Sequence, residues 1–137
     1  MLDPQEGEDL PHETTGGAAA KERLANCSEA AHLVWRGARP GDRMTVTFSA
    51  PEEARYSIEL NLAQSPDYGR YRFSVNGEAV PGIVDGYSPR LFWLHPTLGV
   101  FRLRKGENQL TVESLTANPA AKAGSLFGLD YIFLTRQ

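Results

Sequence analysis

Three carboxylates occupy positions in this sequence that would suit a metal ion. Glu6 and Glu8 alternate on a predicted first strand near residues 6–10, so both side chains would project from one side of it. Asp130 interrupts an otherwise apolar run near the end of the chain. A carboxylate there needs a partner, because burying an unpaired charge is costly. Calcium, which binds several oxygen ligands, is one candidate partner, and Arg72 or a backbone N–H group is the alternative.

Aromatic and polar side chains also accumulate in two predicted loops. One contains Asp67 and Tyr68, and the other is the longest irregular stretch, residues 85–95. Aromatic rings stack on the C–H-rich faces of sugars, and charged groups bridge neighbouring hydroxyls. These loops predict a sugar site. Its stacking platforms would be Tyr68, Tyr87 and Trp93, and its hydroxyl partners would be Asp85, Arg90 and His95. The alternative is that Phe92–Leu94 only plugs the end of a sandwich.

No residue pattern in the sequence predicts nucleophilic or zinc-dependent catalysis. There is no Gly-x-Ser-x-Gly motif. The single cysteine, Cys27, lies in a polar stretch, and no histidine is placed so as to indicate a catalytic pair with it. His12, His32 and His95 are scattered and show no i, i+4 pairing. Cys27 also has no partner for an internal disulfide. We therefore expect a protein without catalytic activity of its own.

Short strands are the elements that must position these side chains. Apolar and polar residues alternate in 44–49, 56–62 and 71–75, as they do in strands with one packed face. The last of these strands leads into Asn76-Gly77, which predicts a type I′ hairpin turn. Such strands, separated by turn residues, predict an all-β fold, an antiparallel sandwich or barrel.

The remaining segments give less regular patterns. A second hairpin is predicted between 100–104 and 109–113. The apolar run 127–134 predicts a central strand, with Leu129, Tyr131 and Phe133 in one row. Residues 17–24 alone have helix-forming composition, which fits a helical turn or a loose loop equally well.

Length and charge restrict the classes of protein further. The chain has 137 residues, a length that predicts a single domain, 1–137, formed by the β-sandwich. Its formal net charge of −3 is unlike the strongly basic charge of a nucleic-acid-binding protein. Residues 1–30 are expected to form a partly irregular lead-in. No apolar run approaches the ~20 residues of a membrane span, and no signal peptide is visible. The sequence does not determine the cellular compartment, which would be extracellular or periplasmic if the parent protein is secreted.

The order of several short motifs resembles that of galactose-binding-like jelly-roll modules, including carbohydrate-binding modules. It is especially similar to the accessory sandwich of secreted glycoside hydrolases of the difructose-anhydride-forming type. The motifs are Glu6–Leu10, Leu33–Trp35, Gly41–Asp42, Ala54–Ile58, Asp67–Tyr71, Val75–Glu78, Leu103–Leu110 and Gly128–Ile132. The resemblance implies an eight- or nine-stranded jelly roll without catalysis. It also implies a structural calcium, because Glu6, Glu8 and Asp130 match the places of its ligands in related modules.

Two functional hypotheses follow. The first is a carbohydrate-binding or accessory module of a polysaccharide-acting system, which captures sugars non-covalently or packs beside an enzyme domain. The second is an oligomerisation or protein-docking sandwich that is indifferent to sugars and exposes a contiguous apolar patch. Neither hypothesis includes nucleic acid or a membrane as a partner.

Overall fold

The computed structural model describes residues 2–23, 31–116 and 126–137. These residues form antiparallel strands and one short 3-10 turn at Gly7–Asp9. The strands are β1 (Gln5–Glu6), β2 (His12–Thr14), β3 (Ala18–Arg23), β4 (Ala31–Arg36), β5 (Arg43–Ala50), β6 (Ala54–Gln64), β7 (Arg70–Val75), β8 (Glu78–Ala79), β9 (Val84–Asp85), β10 (Phe92–Leu94), β11 (Thr97–Leu103), β12 (Gly106–Ser114) and β13 (Phe127–Arg136). The predicted all-β sandwich is confirmed. Eight of these strands contain six residues or more, and the others are short.

The strands form two sheets that enclose one core. The first sheet has the order β10-β6-β13-β4-β3, with β11 also paired to β6 and β1 also paired to β13. The second sheet has the order β2-β5-β12-β7-β8, with β9 also paired to β7. No helix among the described residues has the length and apolar character that crossing a membrane requires.

The alternating strands build the core as their patterns predict. In β6, Tyr56, Ile58 and Leu60 are almost completely buried between the sheets, while Ser57 and Glu59 are partly exposed. Successive side chains of a strand point to opposite faces, so the alternation of types becomes an alternation of burial. The Asn76-Gly77 turn is also confirmed, because both residues adopt the positive φ of a type I′ turn, 50° and 83°.

The predicted hairpin between 100–104 and 109–113 is wrong. β11 pairs with β6 in the first sheet, whereas β12 pairs with β5 and β7 in the second, so the turn crosses from one sheet to the other. Asn108 organises this turn from a fully buried position. Its Oδ1 accepts the Arg104 backbone N–H (3.1 Å) and the Asn76 side-chain amide (3.0 Å), and its Nδ2 donates to the Arg104 carbonyl (3.0 Å).

The N-terminal predictions also need correction. Ala18–Arg23 is strand β3, paired along its length with β4, and not a helical turn or a loose loop. Leu24 and Cys27 lie outside the described residues. The predicted strand near 6–10 is confined to Gln5–Glu6, because the chain turns into the 3-10 segment Gly7–Asp9 directly afterwards.

The last strand is central, as predicted, but its side-chain rows differ from the prediction. β13 pairs with β6 on one side and with β4 and β1 on the other. Its pairing with β6 shifts register between Leu129 and Tyr131. A bulge adds one residue to a strand, so the side chains that follow it point to the opposite faces from those of a regular strand. Consequently Leu129, Ile132 and Leu134 share the core, while Tyr131 and Phe133 are only partly buried on the opposite face.

Candidate functional site

The bulge of β13 and the close approach of the N-terminal segment bring three carboxylates together. Glu6 ends β1 and lies opposite Tyr131, while Glu8 follows in the 3-10 turn. At Gly7 an added Cβ would lie 2.6 Å from the Leu129 carbonyl oxygen, so only glycine lets the two segments pack this closely. Carboxylate oxygens of Glu6, Glu8 and Asp130 all lie within 4.8 Å of one another. The structure therefore places the three predicted metal ligands in one cluster.

The cluster is electrostatically costly without a cation. Both carboxylate oxygens of Glu8 are buried and accept no hydrogen bond from another described residue. Burial raises the pKa of Glu8, with smaller contributions in the same direction from the negative charges of Glu6, Asp9 and Asp130, while the backbone N–H of Glu8 partly offsets them. The raised pKa means that the fold penalises the ionised form of this carboxyl group.

An amide side chain is hydrogen-bonded to Asp130. Asn61, on β6, donates from Nδ2 to Asp130 Oδ2 (2.8 Å), and its own Oδ1 is buried without a hydrogen-bond partner. Carboxylate and amide oxygens are the ligands that Ca²⁺ prefers. The donor set therefore fits calcium, with Glu6, Glu8 and Asp130 as the residues that would hold it. Arg72, one of the alternative partners considered for Asp130, borders a groove on the solvent-facing side of the other sheet, so the prediction of Arg72 as that partner is wrong, whereas a backbone N–H group stays an alternative.

The second group of candidate residues lies where β6 ends. Asp85 ends β9, its Oδ1 accepts the Tyr87 backbone N–H (2.9 Å), and its carbonyl accepts the Gln64 side-chain amide (3.1 Å). Tyr87 is bridged to Ser65, the residue that follows Gln64. These contacts fix Asp85 and a half-buried Tyr87 beside the end of β6.

Arg90 and His95 are both exposed, but they lie at different places. Arg90 lies between Tyr87 and β10, and its backbone N–H contacts Ser88 Oγ (3.4 Å). β10 then runs antiparallel to β6 and away from its end, so His95 lies three residues, or about 10 Å, beyond Phe92. Arg90 therefore lies in the segment that follows Asp85 and Tyr87, whereas His95 lies beyond β10.

Two of the predicted stacking platforms face a buried cluster instead. Tyr68 is only 6% exposed and packs with Ala63 and Leu126, and burial raises its pKa to about 12. Trp93 packs against this cluster and meets the ring of His32 edge-on, with centroids 5.9 Å apart. In this arrangement the ring of Tyr68 is not available for stacking, and Trp93 is half-buried. The prediction that Tyr68 is a platform is therefore wrong.

Phe92 is the aromatic residue that the sequence reasoning missed. It is 54% exposed and lies opposite Gln64, the residue that precedes the Ser65 to which Tyr87 is bridged. Its neighbour Trp93 points to the other face, because successive strand residues alternate. Reading Phe92–Leu94 as a strand would have separated the two rings. We call Asp85, Tyr87, Arg90 and Phe92 the loop-end surface.

The comparisons with other proteins identify the fold. No family model and no curated relative matches this sequence. A xanthan lyase from Paenibacillus superposes with a TM-score of 0.89 and 19% identity over 100% of this chain. A family 35 carbohydrate-binding module from Clostridium thermocellum superposes with a TM-score of 0.63 and 16% identity over 98% of each chain. The chain has the fold of a family 35 carbohydrate-binding module.

The same fold also occurs as one part of longer enzymes. A Podospora anserina GH26-CBM35 β-(1,4)-mannanase matches with a TM-score of 0.63 and 17% identity over 98% of this chain. This chain spans only 13% of the xanthan lyase and 27% of the mannanase, but nearly the whole of the Clostridium module. The predicted resemblance to galactose-binding-like jelly-roll modules is confirmed at the level of the fold.

Proposed function

We propose that this chain is a non-catalytic carbohydrate-binding module that serves a polysaccharide-acting enzyme. The observation that carries the proposal is the superposition on an isolated family 35 module over 98% of both chains. Matches to parts of a xanthan lyase and a mannanase support an accessory role beside an enzyme domain. The chemistry of the site must supply the rest of the argument, because a shared fold does not by itself define a ligand.

The loop-end surface has the composition of a sugar site. Phe92 offers an exposed ring and Tyr87 a half-buried one near the end of β6. Asp85 and Arg90 lie in the same segment and provide a hydrogen-bond acceptor and a donor for hydroxyl groups. The rings would stack on the sugar, and the two charged side chains would set its orientation.

Calcium has a structural role in this proposal. Glu6 and Glu8 come from the N-terminal segment and Asp130 from the central strand, so a shared cation would tie the two segments together. It would also neutralise carboxylates that otherwise repel one another. The cluster is distinct from the loop-end surface, so calcium is expected to affect stability more than sugar specificity.

Titration of the chain with a panel of neutral oligosaccharides tests the sugar site. Phe92→Ala removes an exposed ring and is expected to weaken binding about tenfold, the effect of losing one stacking contact. Val100→Ala is the matched control, because Val100 is a similarly exposed apolar residue on β11, away from the loop-end surface. Equal affinities of the two variants, or no binding by the unaltered chain, would contradict the proposal.

A protein-docking role is the second candidate, and one observation favours it. A groove of about 500 Å³ lies near the end of β13 and is lined mainly by apolar side chains, among them Leu2, Pro51, Tyr56 and Phe133. An apolar groove of this kind fits a protein partner better than a sugar. Light scattering distinguishes the candidates in part, because self-association through this groove predicts a multimer that persists without sugar.

A further inference from the structure

The turn between β7 and β8 contains a residue pair whose chemistry neither the sugar site nor the carboxylate cluster uses. Asn76-Gly77 is the one Asn-Gly pair in the sequence. In such a pair the glycine nitrogen can attack the amide carbon of the asparagine side chain, because glycine has no side chain to obstruct the approach. Both residues are exposed, and a Cβ added at Gly77 would meet nothing within 4 Å. Water therefore reaches the reacting groups.

The reaction replaces a neutral side chain by a charged one. A bond forms between Gly77 N and Asn76 Cγ, and the bond between Cγ and Nδ2 breaks. The leaving nitrogen takes the proton of the Gly77 amide and departs as ammonia. Water then opens the resulting succinimide ring at either carbonyl, which gives aspartate or isoaspartate. Water is the only co-reactant, nothing is oxidised or reduced, and the chain gains a negative charge.

The neighbouring strand β12 holds Asn76 through its backbone and its side chain. The Asn76 backbone N–H donates to the Gln109 carbonyl (2.9 Å), its Oδ1 accepts the Gln109 N–H (2.8 Å), and its Nδ2 donates to Asn108 Oδ1 (3.0 Å). Both polar atoms of the side chain therefore face β12. To meet the nitrogen of Gly77, the amide must turn towards its own backbone, which breaks both side-chain hydrogen bonds.

Asn108 cannot offer a donor to the product of the reaction. It is completely buried, its Oδ1 also accepts the Arg104 N–H (3.1 Å), and its Nδ2 donates to the carbonyls of Arg104 (3.0 Å) and Gly106 (3.1 Å). Rotating this amide by half a turn would place Nδ2 against the Arg104 N–H and Oδ1 against the two carbonyls. A carboxylate at position 76 would therefore face the Asn108 oxygen, and leaving buried polar groups mismatched in this way is costly.

We propose that Asn76 is a guarded deamidation site. It stays an amide while β12 holds its side chain, and it converts to aspartate or isoaspartate when the turn between β7 and β8 opens. Local opening of an exposed turn requires less free energy than unfolding of the whole domain. The product cannot restore the hydrogen bond to Asn108, so the conversion permanently weakens the crossing between the two sheets. This inference does not depend on sugar binding.

The test incubates the full chain in mildly alkaline buffer and follows residue 76 by peptide mapping and mass spectrometry. We expect the conversion to be at least about tenfold faster in urea than in the folded protein. Asn108→Ala removes the acceptor of Asn76 Nδ2 and should accelerate the conversion of the folded protein about tenfold. Gly128→Ala is the matched control, because its added Cβ would crowd His32 and Tyr68, away from β12 and the turn. It should leave the rate unchanged.

A further variant tests the consequence of the reaction. Asn76→Asp carries the product side chain from the start, and it should lower Tm by about 4 °C or more because it loses the hydrogen bond to Asn108. An unchanged Tm would show that Asn108 accommodates the carboxylate, which contradicts the permanent weakening.

Two results would overturn the guarding role. If the folded and the urea-unfolded chain convert at equal rates, the contacts with β12 do not protect Asn76. If Asn108→Ala and Gly128→Ala accelerate the conversion equally, loss of global stability controls the reaction, and release from Asn108 does not. Thermal unfolding before incubation checks that each variant is folded. If Asn108→Ala does not fold, the comparison of the folded and the urea-unfolded unaltered chain still decides the question.

Discussion

Replacing Glu8 with glutamine gives a direct test of the carboxylate cluster, because its effect should change sign with calcium. The substitution keeps the shape of the side chain but removes one of three negative charges within 4.8 Å of one another. Without a cation, it relieves repulsion and should stabilise the fold. With calcium, it removes a charged ligand and should reduce the stabilisation that the ion provides.

The magnitude follows from the separation of the charges. At 4.8 Å, two unit charges repel by about 3 kcal/mol at an effective dielectric constant of 20 and by about 1 kcal/mol in bulk water. The Glu8 carboxylate oxygens are buried but both glutamates are partly exposed as whole residues, so the effect should fall between these limits, and we expect Glu8→Gln to stabilise the calcium-free protein by about 1–2 kcal/mol. For a chain of this length that is a rise in Tm of about 4–8 °C. Calcium at a hundred times its Kd should stabilise the unaltered protein by about 2.7 kcal/mol.

Thermal unfolding in EDTA and in calcium measures both effects. Glu78→Gln is the matched control, because Glu78 is an exposed carboxylate on β8, in the second sheet. The control should leave Tm and its response to calcium unchanged. The interpretation of the cluster would be refuted if Glu8→Gln failed to raise Tm in EDTA, or if calcium raised the Tm of Glu8→Gln and of the unaltered protein equally.

The pH dependence supplies a second readout of the same cluster. The folded state raises the pKa of Glu8 above its unfolded value near 4.5. Its protonation therefore favours the fold at low pH, and this stabilisation is lost as the pH rises through the raised folded pKa. In EDTA, the stability advantage of Glu8→Gln should grow as the pH rises towards 7. In calcium, acid should instead destabilise the unaltered protein, because protons compete with the ion for the carboxylates.

Three further predictions concern the fold that holds these sites. Asn108→Ala should lower the free energy of unfolding, measured in urea, by about 3 kcal/mol, because it leaves buried groups of Arg104 and Asn76 without hydrogen bonds. A decrease of less than about 1 kcal/mol would contradict that role. Gly128→Ala should lower the free energy of unfolding by about 1–3 kcal/mol, because its Cβ would lie 2.8 Å from His32 Cδ2 and 2.9 Å from the Tyr68 hydroxyl. An unchanged Tm would show that His32 and Tyr68 move aside at little cost. Stability should fall as the pH rises from about 10 to about 12, because burial raises the pKa of Tyr68 to about 12 and the unfolded phenol ionises first; a smaller loss is expected in Tyr68→Phe.

The sequence predicted the parts of the fold that depend on local patterns. The alternation in β5, β6 and β7 correctly predicted which side chains enter the core, because a strand converts periodicity directly into burial. The Asn76-Gly77 turn was equally local, since two residues that tolerate positive φ determine its type. Convergence of Glu6, Glu8 and Asp130 was predicted for the right residues although the strand assumed for Glu8 is a 3-10 turn.

Features that depend on distant contacts were not predictable in the same way. The segments β11 and β12 read as a hairpin, yet the chain changes sheet between them, because β11 pairs with β6 and β12 with β5 and β7. Asn108 stabilises this crossing through hydrogen bonds to Arg104 and to Asn76 in the β7–β8 turn. The Ala-rich β3 has weak strand character of its own and becomes a strand by pairing with β4. Tertiary pairing overrode local propensity in both places.

The assignment of the aromatic residues shows where sequence reasoning ends. Recognising Phe92–Leu94 as a strand would have placed Phe92 and Trp93 on opposite faces. It would not have said which of the two faces is open. That depends on Tyr68 and Leu126, which pack on the side of Trp93 and come from segments far apart in the chain. Phe92 is exposed because β6 ends beside it and nothing among the described residues covers its ring, so the candidate sugar platform is a property of the assembled sheet edge.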